Sequence, residues 1–243
     1  PGDDLAYANI LCPGGSTFIL LPGTHYGHTI NGSKNYNTWT AYTGAVMDGQ
    51  NSRGEAFANV LSHNTITYIT IKNYTAYGIT SNNVSDVQIK YVEFSHIGPN
   101  RDGQVYGAVK FRDCSNMKVD NSIFENVTSG IRFIDCEGPL RVRNNEAVNP
   151  GRNFFQCDKC IGGGIRITGN SLEHNQQFGS DELEDFINIY ESEGLSNDWI
   201  QINNNRARTN GTGNGVSDTG SFIILGDDGG KYQEAKNNIG VDT

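Results

Sequence analysis

The residues able to do chemistry gather in a few places along this 243-residue chain. The run "GSDELEDFINIYESEG" (179–194) holds Asp181, Glu182, Glu184, Asp185, Glu191 and Glu193. Carboxylate oxygens at that density suit Ca²⁺, which takes roughly six to eight oxygen ligands. The plainer reading of the run is a solvated acidic loop. "LGDDGGKY" (225–232) adds Asp227 and Asp228 in a Gly-flanked turn that lacks EF-hand spacing. Basic residues sit upstream: Lys110 and Arg112, then Arg132. The long loop "SHIGPNRDGQVYG" (95–107) offers His96, Arg101, Asp102 and Tyr106, and long loops tend to line clefts. "RARTNGTGNGVSDTGS" (206–221) reads as a mobile excursion. Trp39 and Trp199 could stack on a ring but read first as packing residues. His174, in a turn after "SLE", reads as a surface histidine.

A repeat must position these groups. "GAVKFRDCSNMKVDNSIFENV" and "SGIRFIDCEGPLRVRNNEAVN" align with Val109 on Ile131, Phe111 on Phe133 and Cys114 on Cys136. Further copies fit with Asn82, Cys160, Ser192 and Asp228 at the Cys position, giving spacings of 32, 22, 24, 32 and 36 residues. Ile89, Val119, Val142, Ile167, Ile202 and Ala235 mark the second strand of each unit. Asn121, Asn144, Asn170, Asn204 and Asn237 follow closely. Val109 and Phe111 alternate with Lys110 and Arg112, the period of a strand with one face inward. One such unit cannot bury its apolar face alone, whereas stacked units can. The fold expected is therefore all-β: a single domain over 1–243, a single-stranded right-handed parallel β-helix, or solenoid.

Stacking turns sequence positions into rows. One row is Asp113, Asp135, Lys159, Glu191 and Asp227. A second is Lys110, Arg132, Gln156 and Asn188, and a third is Arg112, Asp158 and Tyr190. Acids and bases in register on one face form either a site or a salt-bridged ladder. The cysteines are expected to stack as free buried thiols. A disulfide from Cys136 to Cys157 or Cys160 is the alternative. The asparagines are expected to hydrogen-bond along the axis, as amide ladders do.

Composition narrows the function classes. A net charge of −9 argues against nucleic acid, which needs a basic footprint. No stretch is long and apolar enough to span a membrane. Cys157-Asp158-Lys159-Cys160 lacks the second pair a zinc site needs. The opening "PGDDLAYANI" reads as a trimmed start, and the Asn-rich, Lys-poor composition suits a secreted or cell-surface protein. The chain stops at "KNNIGVDT" within a repeat, so the reading expects either a fragment of a longer chain or end-to-end self-association.

"TFILLPGTHYGHTI…GAVMDG", followed by the Asn-rich repeats, resembles the pectate-lyase-like superfamily of right-handed parallel β-helices over nearly the whole chain. That superfamily includes polysaccharide lyases, glycoside hydrolases, uronate epimerases and non-catalytic adhesins. The hydrolase motifs are incomplete: Arg166-Ile167-Thr168 lacks the Lys, and Asp227-Asp228 stands without its partners. The epimerase motif begins at Tyr77-Gly78-Ile79 but loses its acid and His at Thr80-Ser81-Asn82. The Thr array of an ice-binding solenoid is missing. The remaining implication is a lyase on an acidic, uronate-containing polysaccharide. There a cation acidifies the proton beside the carboxylate and a Lys or Arg removes it.

On that implication Arg132 and Lys110 are the catalytic candidates. Tyr190, Arg112 and Asn188 would bind substrate. Glu184, Asp185, Glu191 and Asp227 would hold Ca²⁺. The rival expectation is a non-catalytic β-helix for adhesion, scaffolding or glycan binding.

Overall fold

The computed structural model describes residues 5–99, 106–179, 182–209 and 216–242. Apart from one short helix, Leu5–Leu11, the regular structure is β, arranged in long parallel sheets. Every strand-to-strand pairing among the described residues is parallel, and each strand pairs with its counterpart in the next repeat.

A repeat contributes up to three strands. The first strands include Thr38–Ala41, Gln88–Lys90, Ile165–Thr168 and Ile200–Asn203. The second include Glu93–Ile97, Ile123–Val127 and Ser171–His174. The third include Tyr77–Ser85, Ser129–Ile134, Asn153–Asp158 and Leu183–Tyr190. Gly107–Asp120 serves as the third strand of one repeat and the first of the next.

The in–out alternation explains the core. Val109, Phe111, Ile131, Phe133 and Phe155 point inward and are buried, while Lys110, Arg112 and Arg132 point out. Identical positions stack: Phe94 lies on Phe124 at 5.0 Å between ring centres. Ile89, Val119, Val142, Ile167, Ile202 and Ala235 form one continuous row, as the repeat predicts. Trp39 is buried and stacked on Phe18 at 4.0 Å, a packing residue as expected.

The amide ladder exists but runs through different asparagines. Asn145, Asn170, Asn205 and Asn238 each accept from the preceding repeat at 2.8–3.0 Å, beginning with the Ser122 N–H on Asn145. Asn121, Asn144, Asn204 and Asn237 instead occupy left-handed turn positions with φ between 51° and 58°. Of the expected row only Asn170 belongs to the ladder. A buried amide without such partners would cost about 1–3 kcal/mol.

The thiol column is corrected. Cys114 and Cys136 form a disulfide, with Cα atoms 4.5 Å apart. Parallel strands separated by roughly 4.8 Å place stacked inward cysteines inside the disulfide window. Cys136 is therefore already bonded and cannot pair with Cys157 or Cys160, both buried thiols. Burial and the neighbouring Cys160 push the Cys157 thiol well up.

Two other expectations also change. His174 is buried, not a surface residue. Arg206–Thr209 and Val216–Asp227 are strands, not a mobile excursion, and 210–215 lie outside the described residues. Arg101, Asp102 and Asp181 also lie outside them.

Candidate functional site

The outward side of the third strands carries the expected rows. Lys110 pairs in register with Arg132, Arg132 with Gln156, and Gln156 with Asn188. Arg112 aligns with Ile134, then Asp158, Tyr190 and Asp227. Asp227 thus sits one row from its expected place. An irregularity between Asn188 and Tyr190 absorbs a residue, and Asp228 takes the left-handed turn shared by Asp113, Asp135, Lys159 and Glu191.

Lys110 is a perturbed base on this face. Its ammonium donates to the Tyr77 hydroxyl at 3.3 Å and lies 5.0 Å from the centre of the Tyr77 ring. Burial holds its pKa below the ordinary lysine range. The nearby Arg132 and Arg112 charges add to that shift, and Glu55 opposes it. Burial raises the Tyr77 phenol, assisted by Tyr106, whose ring meets Tyr77 edge-on at 5.4 Å. Burial also raises Glu55, against the attraction of Lys110. Each group is pushed toward its neutral form: lysine toward the free amine that can accept a proton, tyrosine and glutamic acid toward the protonated form that can donate one.

Tyr77 owes its place to a close strand approach. A Cβ at Gly78 would stand 2.7 Å from the Ala108 carbonyl oxygen and 2.8 Å from the Phe94 ring. Only glycine lets the Tyr77 strand lie this close to its neighbour.

Two arginines flank the pair. Arg132 bonds Asp158 at 2.6 Å, both largely buried. Its Nε is buried with no partner among the described residues. Arg112 bonds Asp135 at 2.6 Å nearer the rim. Ser129 Oγ and Asn188 Oδ1 are likewise buried and unpartnered among the described residues. Buried polar atoms without partners mark places where a ligand or water can bond.

No family model matches the sequence, and no curated protein matches it. Among solved structures, the alginate lyase from Paenibacillus sp. str. FPU-7 is similar. It aligns with a TM-score of 0.61 over 98% of this chain and 95% of that one, at 16% identity. The two chains share a fold.

The acidic candidates separate into different environments. Asn188 Nδ2 donates to Asp185 at 2.9 Å and to Asp227 at 2.8 Å, joining those two. Burial raises Asp185, and the Glu184 and Asp227 charges add to it. Bonds from Asn188 and the Ser221 N–H oppose the shift. Glu184 is turned to Arg152 at 2.8 Å, and Glu191 faces Lys159 at 3.5 Å. Tyr190 is partly exposed and donates to Asp228 at 3.0 Å; its bonds to Glu191 and Asp228 push its pKa up.

Among the described residues no three His, Cys, Asp or Glu side chains converge as metal ligands. Calcium would need its oxygens in one shell. Glu184, Asp185, Glu191 and Asp227 are divided between Arg152, Asn188 and Lys159, so they do not fit a single Ca²⁺.

Sequence reasoning missed Tyr77 and Glu55. A signal for Tyr77 was present in Tyr77-Gly78, because a glycine inside a strand marks close backbone approach.

Proposed function

We propose that this chain is a right-handed, single-stranded parallel β-helix of the pectate-lyase-like kind whose third-strand face cleaves an acidic polysaccharide by β-elimination. The observation that carries the reading is the half-buried Lys110 bonded to the buried Tyr77, flanked by Arg132 and Arg112. The fold shared with an alginate lyase supports it and makes alginate the first polymer to try.

Neutral Lys110 takes the proton on the carbon beside the uronate carboxylate. The electron pair left behind forms the C4–C5 double bond and expels the glycosidic oxygen at C4. The Tyr77 hydroxyl protonates that oxygen as it leaves. Arg132 and Arg112 offset the carboxylate charge, which makes the proton easier to remove. The 3.3 Å contact then lets the Lys110 ammonium return its proton to the Tyr77 phenolate, closing the cycle. No step needs the acids once assigned to calcium. The Cys114–Cys136 disulfide supports a secreted or surface location, where oxidising conditions preserve such bonds.

A scaffold or adhesin reading has one observation in its favour. Arg112–Asp135, Arg132–Asp158 and Lys159–Glu191 form inter-repeat ion pairs along the same face. The deciding experiment follows absorbance near 235 nm with alginate, pectate and glycosaminoglycans, with calcium and with chelator. The lyase reading expects a rise on at least one polymer that survives the chelator. A flat trace on all of them overturns it and leaves the scaffold.

A further inference from the structure

The turn joining first to second strands places one residue per repeat in the left-handed region. From Tyr68 onward the column is Tyr68, Tyr91, Asn121, Asn144, Gly169, Asn204 and Asn237, with φ between 51° and 69°. Asn and Gly adopt this conformation readily, whereas a bulky aromatic there is an outlier. Burial does not account for the tyrosines, since Tyr68 is 56% exposed and Tyr91 45%. Strain retained at an exposed residue points to function.

The two rings stack at 5.0 Å and within 5° of parallel. Tyr91 covers one face of Tyr68, leaving the other turned toward the preceding repeat. There the Thr43–Gly44 bend stands off, and a cavity of about 410 Å³ opens between them, with Thr70 and Glu93 among its walls. The Thr70 hydroxyl bonds one Glu93 oxygen at 3.0 Å and so orients the carboxylate. No lysine, arginine or histidine is among the described residues lining this cavity.

We infer that the Tyr68 cavity binds a neutral glycan chain, at a site separate from the Lys110 face. A pyranose ring presents a face of C–H groups that an exposed tyrosine can cover, and hydroxyls at its edge that donate to a carboxylate. Glu93 disfavours a uronate at the same place, because two carboxylates would face each other with no cation between. The site lies on the corner between first and second strands, while Lys110 lies on the third-strand face. The protein would thus hold a neutral matrix polymer by one surface while its third-strand face meets an acidic chain. This inference stands whether or not the Lys110 face is catalytic.

The test titrates the full chain calorimetrically with cellohexaose, laminarihexaose, mannohexaose and a hexauronate, then repeats the titrations with Tyr68→Asn/Tyr91→Asn. Asparagine is what later repeats carry at this turn, so the variant should fold with an unchanged or higher Tm. The expected result is binding of at least one neutral hexasaccharide, weakened by about tenfold or more in the double variant. The 235 nm activity, where present, should be unchanged. The inference is overturned if no neutral hexasaccharide binds, if the variant binds it equally well, or if only hexauronate binding is lost.

Discussion

The third-strand face carries two polar clusters built on opposite plans. Toward the N-terminus, Glu55, Tyr77, Lys110 and Arg132 combine unlike groups under partial burial. Lysine is pushed down while tyrosine and glutamic acid are pushed up. Toward the C-terminus, Asp185, Asp227 and Asp228 are more concentrated, yet each already accepts a bond from Asn188 or Tyr190. A dense run of carboxylates is conspicuous in a sequence but is readily absorbed by local hydrogen bonds. A lysine and a tyrosine held 3.3 Å apart under burial are instead each pushed toward the neutral form.

The strongest way to break this comparison is to remove one group from each cluster. Lys110→Met should lower kcat/KM by about a thousandfold or more, equivalent to about 4 kcal/mol of barrier. Tyr77→Phe should cost about a hundredfold, because the leaving oxygen then has no donor. Asp227→Asn should stay within about threefold, since its carboxylate serves Asn188 rather than the reaction. The pH dependence has a defined sign. Lys110 acts as a base only when neutral, so kcat/KM should climb with pH, with a midpoint below the ordinary lysine range. Tyr77 is shifted upward, so it stays protonated through that rise. A larger loss in Asp227→Asn than in Lys110→Met would reverse the assignment of the two clusters.

The two clusters also differ beneath the surface. Cys114 and Cys136 staple the repeats that bear Lys110 and Arg132, whereas Cys157 and Cys160, next along the chain, remain thiols. With the bonded cysteines separated by 22 positions in the sequence, loop-closure entropy makes the bridge worth about 3 kcal/mol. Cys114→Ala/Cys136→Ala should therefore lose about that much in denaturant unfolding. Cys160→Ala, which removes only a buried thiol, should lose about 1 kcal/mol. Equal losses would show that packing in the sulfur column, not the covalent link, stabilises this part of the stack.

Much of the architecture was legible because inward positions repeat one residue class. The row from Ile89 to Ala235 is aliphatic throughout, and its register is right in every repeat. Finer register was not legible, for identifiable reasons. Asn144-Asn145, Asn204-Asn205 and Asn237-Asn238 are doublets in which the first residue makes the turn and the second joins the ladder. Spacing alone cannot assign which is which. Asn82 was aligned with Cys114, but it pairs with Arg112, and Val84 is the residue opposite Cys114. A slip of two keeps the same in–out parity and leaves no trace in the pattern. Tyr77 escaped because its register partner is Gly107; its contact with Lys110 runs diagonally between repeats.

The smallest effects sharpen the comparison from the acidic side. Asn188→Ala removes the donor shared by Asp185 and Asp227, and should destabilise by about 1–2 kcal/mol, read by denaturant unfolding. Asp185→Asn should act in the other direction at neutral pH. The folded state raises the Asp185 pKa above its unfolded value, so it prefers the protonated acid. The stability this provides is complete below the ordinary aspartate pKa and is lost as pH rises through the raised value. Asparagine keeps a neutral side chain of the same shape and has no proton to lose. The Tm difference between variant and wild type should therefore move in the variant's favour on going from about pH 3 to pH 7. If that difference is constant with pH, Asp185 is not held toward its neutral form, and the acidic cluster would be an ordinary solvated ladder.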